Sequence, residues 1–213
     1  PKVSDFIVKN IERNGGIVFA MTNTPEFGAG ANTFNELFGA TLNPWNTSLS
    51  CAGSSGGAAV ALATGMAWVA HGSDMGGSLR NPASFCSVVG MRPSPGRVSS
   101  TIFNQMDETL GVNGPMARNI KDLSLIFDAM VGRNYDDPLS LPKENTTFYN
   151  QATSGWKPKR IAFSCDLGLP PVDKTVKDIV LNVAKKLENH GVVVEENHPN
   201  LIDAPNCFQV LRS

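Results

Sequence analysis

A chain of 213 residues, 41% of them hydrophobic, is long enough to bury a sizeable core as one domain or at most two. Its 18 basic and 19 acidic residues leave a net charge of -1 with no basic tract, which excludes an electrostatic footprint for nucleic acid or an anionic membrane; the partner expected is small and mostly uncharged. Four scattered cysteines, Cys51, Cys86, Cys165 and Cys207, form no C-x-x-C pair and so argue against a zinc knuckle or a disulfide framework. No apolar run is long enough to span a bilayer, and no basic-then-apolar leader opens the chain, so a reduced, cytoplasmic setting is expected.

In chain order, Ser4 is placed to cap a short helix whose Phe6, Ile7 and Ile11 share a face, with Gly15 and Gly16 stopping it. Ile17 to Ala20 reads as a buried strand. The T-N-T-P-E-F segment (Thr22 to Phe27) follows as a loop, because Pro25 cannot continue a sheet and pushes Thr24 out of the helical region. Gly28-Ala29-Gly30 lacks the third spaced glycine and the downstream acid of a dinucleotide fingerprint and reads as a turn. From Gly56 to about Gly65 nearly every residue is small or aliphatic, which suits a helix buried all round, and Ala67 to His71 reads as a short buried strand. Asn119 to Val131 carries Ile120, Leu123, Ile126, Phe127 and Met130 at helical spacing. Arg133 to Lys159 is polar and aperiodic, either a wrapping arm or a gating loop. Last come a strand (Arg160 to Ser164), an Asp173-capped helix with Val176, Ile179, Val180, Val183 and Leu187 on one face, a stop at Gly191 and a strand (Val192 to Glu195); that β-α-β unit makes the class α/β.

The stretch from Ser48 to Arg97 carries the chemistry. It holds two glycine-flanked serine clusters, Ala52-Gly-Ser-Ser-Gly-Gly57 and Gly72-Ser-Asp-Met-Gly-Gly-Ser-Leu-Arg80, on either side of the small-residue helix. Glycine frees the backbone at both, so a hydroxyl can stand beside a row of N–H donors; that combination points to acyl transfer. No Lys-Ser or Lys-Thr follows Gly57, so a phosphate loop is not supported. His71 with Asp74 and Ser78 invites a Ser-His-Asp triad, but three near neighbours at a strand end would have poor mutual geometry. Cys86, among apolar neighbours, is expected to be packing rather than a nucleophile.

The two clusters, with Pro82 to Arg97, T-N-T-P-E-F, Asn43 to Asn46 (N-P-W-N) and Gly114 to Arg118 (G-P-M-A-R), resemble the amidase signature family, whose members hydrolyse amides with a Ser–cis-Ser–Lys triad. The resemblance implies a large mixed β-sheet flanked by helices on both sides, of which residues 1–213 would be an incomplete internal portion of one domain, lacking N-terminal and C-terminal parts. It assigns Ser78 as nucleophile, Ser54 as bridging proton relay behind a cis Gly53–Ser54 bond, and the amides of Met75, Gly76 and Gly77 as an oxyanion hole. Ser55, Asp74 and Arg80 are supporting residues. The lysine base of the family has no counterpart here; Lys2 and Lys9 lie on or beside an exposed helix, so it is expected upstream of Pro1. Ala52 and Ser87 stand where the family carries glycine, and Met21 where it carries lysine.

The activity implied is hydrolysis of a carboxamide to a carboxylate plus ammonia or amine through an acyl-enzyme on Ser78, with no metal and no organic cofactor required. The partner implied is a small-molecule amide, with no nucleic acid and no membrane; a homodimer is left open. Two alternatives stand beside this. One is a glutamine-hydrolysing subunit of an amidotransferase, although Thr101 to Leu110 does not resemble that branch closely; the other is a non-catalytic fragment or scaffold subunit.

Overall fold

The computed structural model describes residues 4–99 and 109–212, so Lys2 and most of Thr101 to Leu110 lie outside the described residues. The chain forms two compact units, Pro1–Ser154 and Gly155–Ser213. Both mix helix and strand, and the class is α/β.

In the first unit, α1 (Phe6–Arg13) is capped by Asp5 rather than Ser4: the carboxylate accepts the Ile7 amide at 3.0 Å. An ionised acceptor at the positive end of a helix outcompetes a hydroxyl one residue earlier. Ile17 to Ala20 forms no strand, and Ile17 and Phe19 are exposed. An apolar run takes up strand structure only where a neighbouring strand receives its backbone groups, and none does so among the described residues. A small hairpin follows, β1 (Phe34–Asn35) against β2 (Gly39–Ala40).

Next come α2 (Gly56–Ala63), β3 (Val69–Asp74), α3 (Arg80–Cys86), β4 (Val89–Gly90), β5 (Val112–Ala117) and α4 (Ile120–Met130). The strands make an antiparallel sheet in the order β3-β5-β4, with Val69 opposite Ala117 and Asp74 opposite Val112. β3 therefore runs beyond His71 to Asp74. The central strand β5 is buried at every position, which requires cover on both faces. Alternation supplies it: Ala70 packs into a cluster of Cys51, Ala58, Leu62, Leu79, Cys86 and Met116 with α2 and α3, while Val69 packs into another of Ile7, Ile126, Phe127 and Met130 with α1 and α4. α2 is buried almost all round, as its small residues require.

α4 begins at an Asn119 cap that accepts the Asp122 amide at 2.9 Å. The long polar segment after it is an arm as far as Ser154. Leu141 donates its amide to the Gly96 carbonyl at 2.9 Å and Asn134 Nδ2 bonds Ser99 Oγ at 2.9 Å; α5 (Phe148–Thr153) then sets Phe148 on Phe127, ring centroids 4.3 Å apart.

In the second unit β6 (Arg160–Phe163), α6 (Lys174–Asn189) and β7 (Val193–Glu196) form the expected parallel β-α-β, with Asp173 capping α6, and α7 (Ala204–Arg212) follows. The apolar stripe of α6 is where sequence places it, but only Ala184 is buried; Ile179 and Val183 are exposed.

Candidate active site

The first serine loop enters α2. Residues 51 to 55 are all buried, Ser55 is the N-cap of the helix, and the Gly53–Ser54 peptide is cis. Ala52 holds φ at +59°, a left-handed conformation that favours glycine, at one of the positions where glycine was expected; Ser87, the other, ends α3 at φ +57°. The second loop leaves β3 at Asp74 and carries Ser78 into α3.

These loops are brought together by Ser55. Its amide donates to the Ser78 carbonyl at 3.3 Å, while its hydroxyl donates to the Ser73 carbonyl and accepts the Ser73 amide, each at 3.2 Å. Main-chain groups of the two loops are therefore adjacent at the amino end of α2, where the helix dipole favours negative charge. The hydroxyls of Ser54 and Ser78 are not hydrogen-bonded to each other, nor to any group among the described residues.

Asp74 organises the second loop. Its side chain is fully buried and accepts the Gly77 amide at 2.8 Å, the Leu79 amide at 3.1 Å and both Nε and Nη2 of Arg80 at 2.9 Å. Burial alone would raise its carboxyl, but the bonds from Arg80, Gly77 and Leu79 outweigh that and hold it at about 2. This corrects one expectation. A buried carboxylate needs donors, and Gly77 supplies one, so its amide is not part of a free row. The amides of Met75 and Gly76 have no acceptor among the described residues, and both residues are exposed.

Arg92 was given no role by sequence reasoning. Its Nη1 reaches both the carbonyl and Oδ1 of Asp74, and its Nη2 donates to the Leu110 carbonyl at 2.8 Å. The only signal for it was its place inside the Pro82 to Arg97 motif, which says nothing about what it touches. His71 and Asp74 sit on opposite faces of β3, and His71 Nε2 lies 3.2 Å from Asn113 Oδ1, so no Ser-His-Asp triad forms. Cys51 and Cys86 are core residues whose thiols burial pushes up, Cys86 to about 11, too high for a thiolate at neutral pH. No lysine among the described residues hydrogen-bonds Ser54 or Ser78, and among the described residues no cluster of His, Cys, Asp and Glu could hold a metal ion. No helix among them is long and apolar enough to cross a membrane.

The chain is an α/β protein that sets two serine loops side by side at a helix amino terminus, one of them braced by a buried aspartate. The match to known proteins is more specific: the chain belongs to the amidase signature family, since the model of the Amidase family matches residues 1–209. It is 37% identical over 193 residues to the acylamidase of Rhodococcus erythropolis, covering 91% of this chain and 40% of that protein. It is 36% identical over 196 residues to a glutamyl-tRNA(Gln) amidotransferase subunit of Lachnospira eligens, covering 92% of this chain and 41% of that protein. Among solved structures, a bacterial aryl acylamidase of the amidase signature family superposes with a TM-score of 0.87 at 30% identity, over 94% of this chain and 41% of that one. The 6-aminohexanoate cyclic dimer hydrolase, solved with its substrate, gives 0.85 at 29% identity over 92% and 42%. The chain thus spans about two-fifths of the length of the relatives it matches.

Proposed function

We propose that the protein containing this chain is an amidase that hydrolyses a small-molecule carboxamide to a carboxylate and ammonia or an amine. The observation that carries this is the hydrogen bond from the Ser55 amide to the Ser78 carbonyl, which joins the two serine loops. The family match runs across both compact units, which supports treating them as parts of one amidase-signature domain.

An amide carbonyl is a poor electrophile, so the site must deprotonate a nucleophile, hold an oxyanion and return a proton to the leaving amine. Ser78 Oγ attacks the carbonyl carbon; its proton passes to Ser54 Oγ as Ser54 gives its own to a lysine base outside this sequence. The oxyanion is held by the Met75 and Gly76 amides, where losing one donor typically costs roughly 3 kcal/mol in the barrier. The C–N bond then breaks as the amine takes the proton back, and water releases the acyl group from Ser78. Asp74, clasped by Arg80 and Arg92, keeps the loop in shape. Each of these steps uses side chains, main-chain amides and water.

Treating the full-length protein with a fluorophosphonate probe is the test. Covalent mass on Ser78 is expected and a Ser78→Ala variant takes none; an unlabelled wild type overturns the amidase and leaves a non-catalytic scaffold. A second reading has its own support in the similarity to the amidotransferase of Lachnospira eligens. In that reading the amide is that of glutamine and the ammonia goes to a partner protein, so ammonia release from glutamine rises when the partner is added.

A further inference from the structure

The residue that holds the Ser54 loop in place comes from neither serine motif. Thr33 lies just before β1, and its residue is only 2% exposed. Its hydroxyl donates to the Ala52 carbonyl at 2.9 Å, lies 3.4 Å from the Ser54 carbonyl and accepts the Gly56 amide at 3.1 Å. One oxygen thus touches the main chain before, at and after the residue read as the proton relay. Thr33 is itself anchored, because its carbonyl accepts the Thr41 amide at 2.9 Å and so extends the β1–β2 hairpin.

Space around the loop has been cleared for this contact. A Cβ on Gly56 would lie 2.2 Å from Thr33 Oγ1 and 2.7 Å from Cys51 Sγ, and one on Gly53 would lie 2.9 Å from the Asn32 amide nitrogen. The loop can therefore rest on the 30–33 segment only because both positions are glycine. Burial raises the stakes of the bond, since an unmet Gly56 amide inside the fold carries its full desolvation penalty.

We propose that Thr33 is the positioning residue for Ser54: its hydroxyl sets where the Ser54 Oγ stands relative to Ser78, without touching substrate. This rests on Ser54 being the relay of the proposed amidase. Placement matters because a displacement of about 1 Å at a reacting group can lower a rate roughly 100-fold. Thr33→Val removes the hydroxyl at nearly constant shape, Thr33→Ser keeps it, and a residue acting only through Ser54 has nothing to act through once Ser54 is alanine.

The experiment follows the rate of fluorophosphonate labelling of Ser78 in the full-length protein for wild type, Thr33→Val, Thr33→Ser, Ser54→Ala and the Thr33→Val/Ser54→Ala double variant. Thr33→Val is expected to slow labelling roughly 10- to 100-fold and Thr33→Ser to stay near the wild-type rate. The double variant is expected to match Ser54→Ala alone. Labelling of Thr33→Val at the wild-type rate, or a double variant slowed by the product of the two single effects, overturns the proposal while leaving the amidase in place. A wild type that takes no probe removes the amidase reading itself. Should Thr33→Val not fold, Thr33→Ala, which leaves room for a water on the Gly56 amide, is judged by the same criteria.

Discussion

Asp74 is the residue on which the second loop depends, and its pH behaviour follows from its surroundings. Its carboxyl is held at about 2 in the folded protein against an ordinary 3.8. A group whose folded value is depressed contributes stability that is present above the unfolded value and lost as pH falls through the folded one. The window is therefore about pH 4 down to about pH 2, and the contribution at its upper edge is at most about 2 kcal/mol. Chemical denaturation of wild type and Asp74→Asn across this range is expected to show a gap that is full at pH 5 and narrows steadily towards pH 2. A gap of constant size would mean that the carboxylate's charge is not what the two arginines and two amides hold. Arg80 supplies the largest of the lowering contributions through its two bonds, although its side chain is half exposed and partly screened by water.

At the scale of an element, α2 decides the site because it carries Ser54 and Ser55 at its amino end. It is fixed at both ends. Arg118 Nη1 donates to the carbonyls of Leu62 at 2.8 Å and Ala67 at 2.6 Å, closing the carboxyl end, where a cation also suits the helix dipole. At the amino end the helix is pressed against the Thr22–Asn23 backbone: a Cβ on Gly57 would lie 2.4 Å from the Asn23 carbonyl oxygen and 2.6 Å from its nitrogen. Two effects then oppose each other in Gly57→Ala. Helix propensity favours alanine by about 1 kcal/mol, but inserting a methyl against immovable backbone costs about 1–3 kcal/mol and shifts the first turn. The steric cost wins at this distance. Gly57→Ala is expected to destabilise the protein by up to about 2 kcal/mol and to slow probe labelling of Ser78; a variant that is more stable and labels normally would show that the turn has room. The helix itself was legible in its run of small residues, since only close packing on all sides explains so many. Its contacts were not, because Asn23, Arg118 and Thr33 meet it through the fold and no local pattern records such a meeting.

Across the whole molecule the same division holds. Periodicity and caps marked α4 and the β-α-β unit, and the glycine-flanked serines marked the two loops, because each is a local property of the chain. Arg92 on Asp74 and Thr33 on the Ser54 loop are long-range pairs and left no trace in spacing, while the Gly77 amide was misassigned because spacing does not show which acceptor an amide meets. Ile17 to Ala20 failed for a related reason: an apolar run reports that a segment belongs against a partner, not that the partner is at hand. The surface bears this out. In the first unit Ile17, Met21, Phe27, Leu37 and Trp68 are each at least 79% exposed, and in the second the stripe on α6 lies open. Single exposed apolar residues are ordinary, but contiguous apolar surface of more than a few hundred Å² on a lone protein draws other apolar surfaces to it. The relatives are more than twice as long as this chain, and residues 1–213 produced alone carry these apolar side chains open to solvent. Residues 1–213 are expected to bind the dye ANS strongly and to sediment as a mixture of self-associated species. Weak dye binding together with sedimentation as a single monomer would mean that these side chains cover one another in solution.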